Sequence, residues 1–298
     1  MMGKPVAAPE SDLDRITLMP GWITSARSQT PEDAAFLSGA ALAHLHRAAA
    51  AEGLPQALWR DRLALVAAEA CVGFAGRRER EAALRDALHL SRLGDELGPA
   101  GAVFEQWSRA AARPLSVASL ERVLSGVAAD RIAGWLDAGE GRLPVARAAA
   151  VLEAVLAESP RAETAALILA DAALARVLGW DHLLPLLALG LAARDLRLGE
   201  VDLRLACHRA LVSASVRAVR LAADLTRRAA RLRDVAPTLR AKGADRAVEL
   251  LLSRDALAPA ALTGFMSDRA ARRLCDRLVT LGAVRELTGR GIFRLYGL

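Results

Sequence analysis

Between Ser267 and Leu281 the chain places Arg269, Arg272, Arg273, Asp276 and Thr280 three or four residues apart. On an α-helix that spacing gathers them on one face, with Arg277 at its flank, while Ala270, Ala271, Leu274, Leu278 and Leu281 gather on the other. An apolar back and a basic front are what a helix docked in a DNA groove requires. The planar guanidinium fork meets guanine edges or phosphate oxygens in pairs of hydrogen bonds. Asp276 can accept from cytosine N4, or pair with Arg272 and Arg273, four and three residues back. The same pattern also fits a plain solvated face. Arg290, within Thr288-Gly289-Arg290-Gly291, is a further candidate for a phosphate or a minor groove.

Other residue types offer less chemistry. The histidines are His44, His46, His89, His182 and His208. His44 and His46 point to different sides of a helix, and no Cys or His pair has zinc spacing. Cys71, Cys207 and Cys275 are far apart and lie in apolar helical patterns, as reduced buried thiols do. Cys207 and His208 are neighbours, which diverge on a helix. Glu69, Glu153 and Asp171 lack a second acid three or four residues away. No phosphate-binding loop, dinucleotide fingerprint or nucleophile elbow is present. The sequence therefore assigns no catalytic residue, metal or cofactor.

Local signals define the elements that would position the basic face. Asp245 to Leu252 is a short amphipathic helix. Ala258-Pro259 opens a second, and Thr263 to Met266 is the turn. Ser267 caps the third helix, and Gly282 ends it. Ala283 to Leu287 and Ile292 to Tyr296 then read as two strands around the Thr288–Gly291 turn. The combination predicts a small winged helix-turn-helix with a two-stranded β-hairpin wing.

Upstream, helical periodicity dominates. Thr30-Pro31-Glu32-Asp33 starts a helix with a cap, a proline at its first position and acids in its first turn. Further helices are predicted at about 56–74, 79–90, 103–112, from Ser116 or Ser119 towards 129, and at 145–158, 162–178, 183–191 and 201–233. Gly94 to Gly101 reads as a plain Gly-rich loop. No internal repeat is found. The expected fold is all-α: a flexible arm (1–19), an irregular helical bundle as the body (20–236) and the winged helix-turn-helix (237–298).

Composition agrees with helices. The chain of 298 residues is 53% hydrophobic but 4% aromatic, so its core must be mostly Leu, Ala and Val. Of 40 basic residues only Lys4 and Lys242 are lysines. The net charge of +6 is uneven: the segment from Arg227 onward carries 15 basic and 7 acidic residues. That asymmetry suits an anionic partner. The first residues show neither a signal nor a transit peptide, and the longest uncharged apolar run, Leu183 to Ala193, is too short to span a bilayer. A cytoplasmic protein with no membrane partner is expected.

Two resemblances add to this. Gly179-Trp180-Asp181-His182-Leu183-Leu184-Pro185 is similar to part of the Fic adenylyltransferase motif. The Gly/Asn-rich anion loop ending in Arg is missing, because 187–193 reads Leu-Ala-Leu-Gly-Leu-Ala-Ala. It therefore implies at most a catalytically inactive relative. The second runs through Pro20-Gly21-Trp22, Asp33-Ala34-Ala35-Phe36-Leu37-Ser38-Gly39-Ala40-Ala41, Arg60-Asp61-Arg62-Leu63-Ala64-Leu65, Glu81-Ala82-Ala83-Leu84-Arg85-Asp86-Ala87 and Gly98-Pro99-Ala100-Gly101. It continues in Ala270-Ala271-Arg272-Arg273-Leu274, 282–290 and Phe293-Arg294-Leu295-Tyr296-Gly297. These segments resemble the bacterial domain of unknown function 1403 over nearly the whole chain. The likeness implies a shared architecture and transfers no functional residue. Two functions are expected: a double-stranded DNA-binding protein such as a transcriptional regulator, its body free to form a homodimer, or an interaction and scaffold protein whose winged helix packs on the body or a partner.

Overall fold

The small side chains of α11 (Glu200–Val235) set the architecture. Ala210, Ala214, Ala218 and Ala222 recur every four residues, and all are buried. Such a row lets neighbouring backbones approach closely. At 36 residues α11 is about 54 Å long, at 1.5 Å per residue. It packs against α2 (Pro31–Ala49), α3 (Gln56–Phe74), α8 (Pro144–Glu158) and α10 (Leu187–Gly190). A Cβ built on Gly190 would lie 2.3 Å from the Ala210 carbonyl oxygen, so only glycine fits that crossing.

The computed structural model describes residues 16–25, 28, 30–91 and 95–298. Residues 1–15 of the expected arm and Gly94 lie outside the described residues. The remaining α-helices are α1 (Gly21–Thr24), α4 (Glu81–His89), α5 (Gly98–Ala112), α6 (Val117–Val123), α7 (Ala129–Leu136), α9 (Glu163–Val177), α12 (Ala244–Leu251) and α13 (Asp268–Thr280). The protein is thus mostly helical, with one antiparallel two-stranded sheet near its C-terminal end: β1 (Arg285–Glu286) and β2 (Tyr296–Gly297). Arg285 pairs with Gly297 and Glu286 with Tyr296. No helix among the described residues is long and apolar enough to cross a membrane.

The caps act as their residues suggest. Thr30 Oγ1 accepts from Asp33 N–H at 3.1 Å, and the Asp33 carboxylate accepts from Thr30 N–H at 3.0 Å, a complete capping box. Ser116 caps α6. Three stretches depart from expectation. Gly98 to Gly101 is the first turn of α5: Pro99 sits where no N–H is needed, and Gly101 fits beside Ala87, whose Cβ would lie 3.0 Å from an added one. The helix expected from Ser116 towards 129 breaks at Leu124, Gly126 adopts a positive φ of 90°, and α7 follows as a separate helix. Of 183–191 only Leu187–Gly190 is α-helical, because Pro185 cannot donate in a helix interior.

α9 is buried on every side from Ala166 to Ala175, and it carries Asp171 into the core. The carboxylate accepts from the N–H groups of Leu186 and Leu187 at 3.0 and 3.1 Å, satisfying the start of α10. Burial pushes this acid up to about 8 against the pull of those two donors. The main apolar core runs from Ile23 through the bundle to Leu278, Val284 and Leu298, and Ala256, Ala258 and Leu295 form a separate small cluster.

Candidate functional site

The segment beyond Gly243 is assembled from short pieces. α12 presents Ala244, Ala247, Val248 and Leu251 to the core. Leu257 forms an isolated antiparallel bridge to Tyr296, with N–H···O distances of 2.8 and 2.9 Å. Pro259–Leu262 is a single 3-10 turn rather than an α-helix. In the turn that follows, the Phe265 ring lies under the Arg246 guanidinium at 4.8 Å, which ties the turn to α12. Ser267 Oγ accepts from Ala270 N–H at 3.3 Å and opens α13. Gly282 ends it with a φ of 65°. The sheet is shorter than the two strands expected from 283–287 and 292–296, since only Arg285–Glu286 and Tyr296–Gly297 pair.

α13 has the two faces its periodicity demands. Ala271, Leu274, Cys275 and Leu278 are buried. Arg269, Arg272, Arg273, Asp276, Arg277 and Thr280 are all exposed. Burial pushes the Cys275 thiol up to about 12, so it packs as a neutral side chain. The polar residues differ in their engagement. Arg272 pairs with Asp268 at 3.0 Å, one turn earlier, and not with Asp276. Asp276 instead accepts from the Tyr296 hydroxyl at 3.3 Å and lies 3.9 Å from Arg294, linking α13 to β2. Thr280 donates to the Asp276 carbonyl at 2.9 Å. Among the described residues Arg269, Arg273 and Arg277 make no ion pair.

The loop between the strands is closed by Glu286, whose carboxylate accepts from Thr288 N–H at 2.7 Å, from Gly289 N–H at 2.9 Å and from the Thr288 hydroxyl. Burial opposes this charge, but the three donors outweigh it and hold Glu286 below its ordinary value. Arg290 does not extend from the loop alone; it pairs with Asp86 of α4 and so fastens the loop to the body. Ile292 and Phe293 are 71% and 67% exposed beside it, and Phe293 has a φ of 54°, a conformation that costs a non-glycine residue energy.

Much of the basic excess in this half of the chain is spent internally. Arg227 and Arg228 pair with Asp224 at 2.9 and 2.7 Å. Arg231 donates to the Leu281 carbonyl at 3.1 Å, and Arg233 to the Gly53 carbonyl at 3.1 Å. A further cluster lies at the junction with the body and escapes periodicity altogether. Asp255 is fully buried and receives both Arg62 and Arg85, the latter at 2.6 Å. Arg62 also donates to the backbone oxygens of Asp255 and Leu298 at 3.2 and 3.3 Å, and Asp61 accepts from Asp255 N–H at 2.9 Å. The only hint in the sequence is the Arg60-Asp61-Arg62 triplet, whose partners are nearly 200 residues away.

The other candidates are dispersed. His44 bonds the Thr17 carbonyl, and His46 accepts from Trp180, so the two rings diverge. Cys71, Cys207 and Cys275 are free and buried. His182 lies in the non-helical stretch ahead of α10, and burial, then Arg60, lowers its basicity. Among the described residues no group of three or more His, Cys, Asp or Glu side chains is placed to hold a metal ion.

These features define a mostly helical protein with a short sheet near its C-terminal end and an exposed arginine-rich helix beside it. A family model described as protein of unknown function (DUF1403) matches residues 7–298, and the chain belongs to that family. A comparison with curated proteins finds no match.

Proposed function

We propose that residues 237–298 form a winged helix-turn-helix that binds double-stranded DNA through α13, in a cytoplasmic protein without catalytic activity. The observation that carries this reading is the solvent face of α13, where Arg269 and Arg273 are exposed and unpaired and Arg272 meets only the exposed Asp268. The element order supports it. A helix, the Leu257 bridge, a short turn of helix, α13 and two strands follow one another, and Tyr296 pairs with both Glu286 and Leu257. That is the order of a winged helix, with α13 in the recognition position. Arg290 is half exposed and pairs with Asp86, so it would reach a phosphate or a minor groove only by giving up that partner.

The test is duplex affinity as a function of salt. Each phosphate contact contributes about −0.9 to the slope of log K against log salt, so Arg269→Ala/Arg272→Ala/Arg273→Ala should flatten it by up to about 3. Unchanged duplex binding in that variant refutes the proposal. A second reading has its own support: Arg290–Asp86 and the Asp255 cluster dock this segment on the body, as in a scaffold that presents the α13 face to a protein. Absence of duplex binding, with partner capture that depends on the same arginines, favours it.

A further inference from the structure

One face of α2, the start of α8, the end of α9 and the first two turns of α11 line an open cavity of about 1040 Å3. Its walls are apolar and include Leu42, Val145, Val177, Leu178, Val201 and Leu205. Val201 and Leu143 at its margin are 54% and 80% exposed. Apolar side chains left open around a concave space mark a binding site more often than a bare surface does.

The polar groups are few. Ser38 is buried, and its hydroxyl lies 3.0 Å from the Ala35 carbonyl oxygen and 2.7 Å from Nδ1 of His208. This holds the His208 ring in place and leaves Nε2 free of that bond. Arg204, one turn earlier on α11, also lines the cavity, and its charge acts on His208. At the other end of α2, His46 accepts from Trp180 Nε1 at 2.7 Å, with Arg47 next to it. Neither Arg47 nor Arg204 makes an ion pair among the described residues. The acid in the lining, Glu32, precedes Ser38 by six residues on α2, about 9 Å along the helix axis, so Arg204 and His208 face one exposed carboxylate at that end of the cavity. Among the described residues no carboxylate hydrogen-bonds the Ser38–His208 pair, so it lacks the third member that activates a serine nucleophile.

We infer that this cavity binds a small amphipathic organic anion, with its acidic head at Arg204 and His208 and its apolar body along the α8–α9 wall. The volume lies at the upper end of the roughly 300–1,000 Å3 of small-molecule sites, and Arg204 supplies the complementary charge at the head. The inference does not depend on DNA binding.

The experiment uses the full chain and the fluorescent probe 8-anilinonaphthalene-1-sulfonate, competed by decanoate and, separately, by 1-decanol. Saturable one-site binding is expected, with decanoate displacing the probe at least tenfold better than decanol. Arg204→Glu should weaken probe and decanoate at least tenfold, and Ala43→Trp, which fills the space from an exposed position on α2, should abolish binding. Arg122→Glu, a surface charge reversal on α6, should change neither. Thermal melts confirm that each variant is folded. Equal displacement by decanol, or binding unaffected by Arg204→Glu and Ala43→Trp, overturns the proposal. So does a dimer that Ala43→Trp dissociates while the probe stays unbound, because a second copy then fills the groove.

Discussion

Replacing Asp255 with alanine removes the carboxylate that two buried arginines share. In the native protein Asp255 is fully buried and bonded to Arg62 and Arg85, which belong to α3 and α4. Arg85 would retain Glu81 at 3.2 Å, whereas Arg62 would keep only carbonyl acceptors. Removing one partner of a buried ion pair costs about 3–5 kcal/mol, because the remaining charge stays desolvated. Unfolding entropy is about 2.1 cal/mol/K per residue, so for 298 residues the melting temperature should fall by about 5–8 °C. Circular dichroism during heating and urea titration reads both quantities. The loss should fall first on the junction between the C-terminal segment and the body, so hydrogen exchange at Leu257 and Tyr296, which pair with each other, should rise before exchange in α9. The apolar triple variant Arg62→Met/Arg85→Met/Asp255→Leu should recover most of the stability. A loss below about 1 kcal/mol for Asp255→Ala, or no recovery in the triple variant, would refute the reasoning.

Gly190→Ala should destabilise the bundle by about 1–3 kcal/mol in denaturant titration, since the added carbon meets the backbone of Ala210, which cannot give way as a side chain could. Asp171 should impose a pH dependence. Its folded value is raised to about 8 from an ordinary carboxylate value near 4, so its contribution is present at low pH and lost as pH rises between those limits. Stability measured from pH 4 to 8 should decline less steeply in Asp171→Asn, though that variant starts lower because one N–H of Leu186 or Leu187 loses its acceptor. Cys71, Cys207 and Cys275, raised by burial to about 11, 12 and 12, should not react with a thiol reagent at pH 8 until the protein is unfolded. Rapid native labelling would show that one of these pockets opens.

Features that depend on neighbouring residues were legible from sequence. The Thr30 and Ser267 caps, the Gly282 stop and the two faces of α13 follow from side chains within one or two turns of each other, and all are present. The two-stranded sheet was legible in existence but not in extent, because strand length depends on pairing across the loop. Composition misled at Gly98–Gly101, where two glycines suggest a loop. Gly101 is instead needed for the approach of α5 to Ala87.

Charge is where tertiary structure decided most. Along the sequence Arg231, Arg233 and Arg290 look as free as Arg269 and Arg273. Folding brings Arg231 to Leu281, Arg233 to Gly53 and Arg290 to Asp86, partners 50, 180 and 204 residues away. It also buries Asp255 between two arginines and forms an open apolar cavity lined by Ser38 and His208, which bond to each other from 170 positions apart. The sequence by itself determined most of the helices, the Thr30 and Ser267 caps and the basic face of α13, because backbone geometry and local hydrogen bonding set those. Only the tertiary structure decided which arginines remain available to a partner. An ion pair or a cavity depends on contacts between elements far apart in the chain, and periodicity carries no record of them.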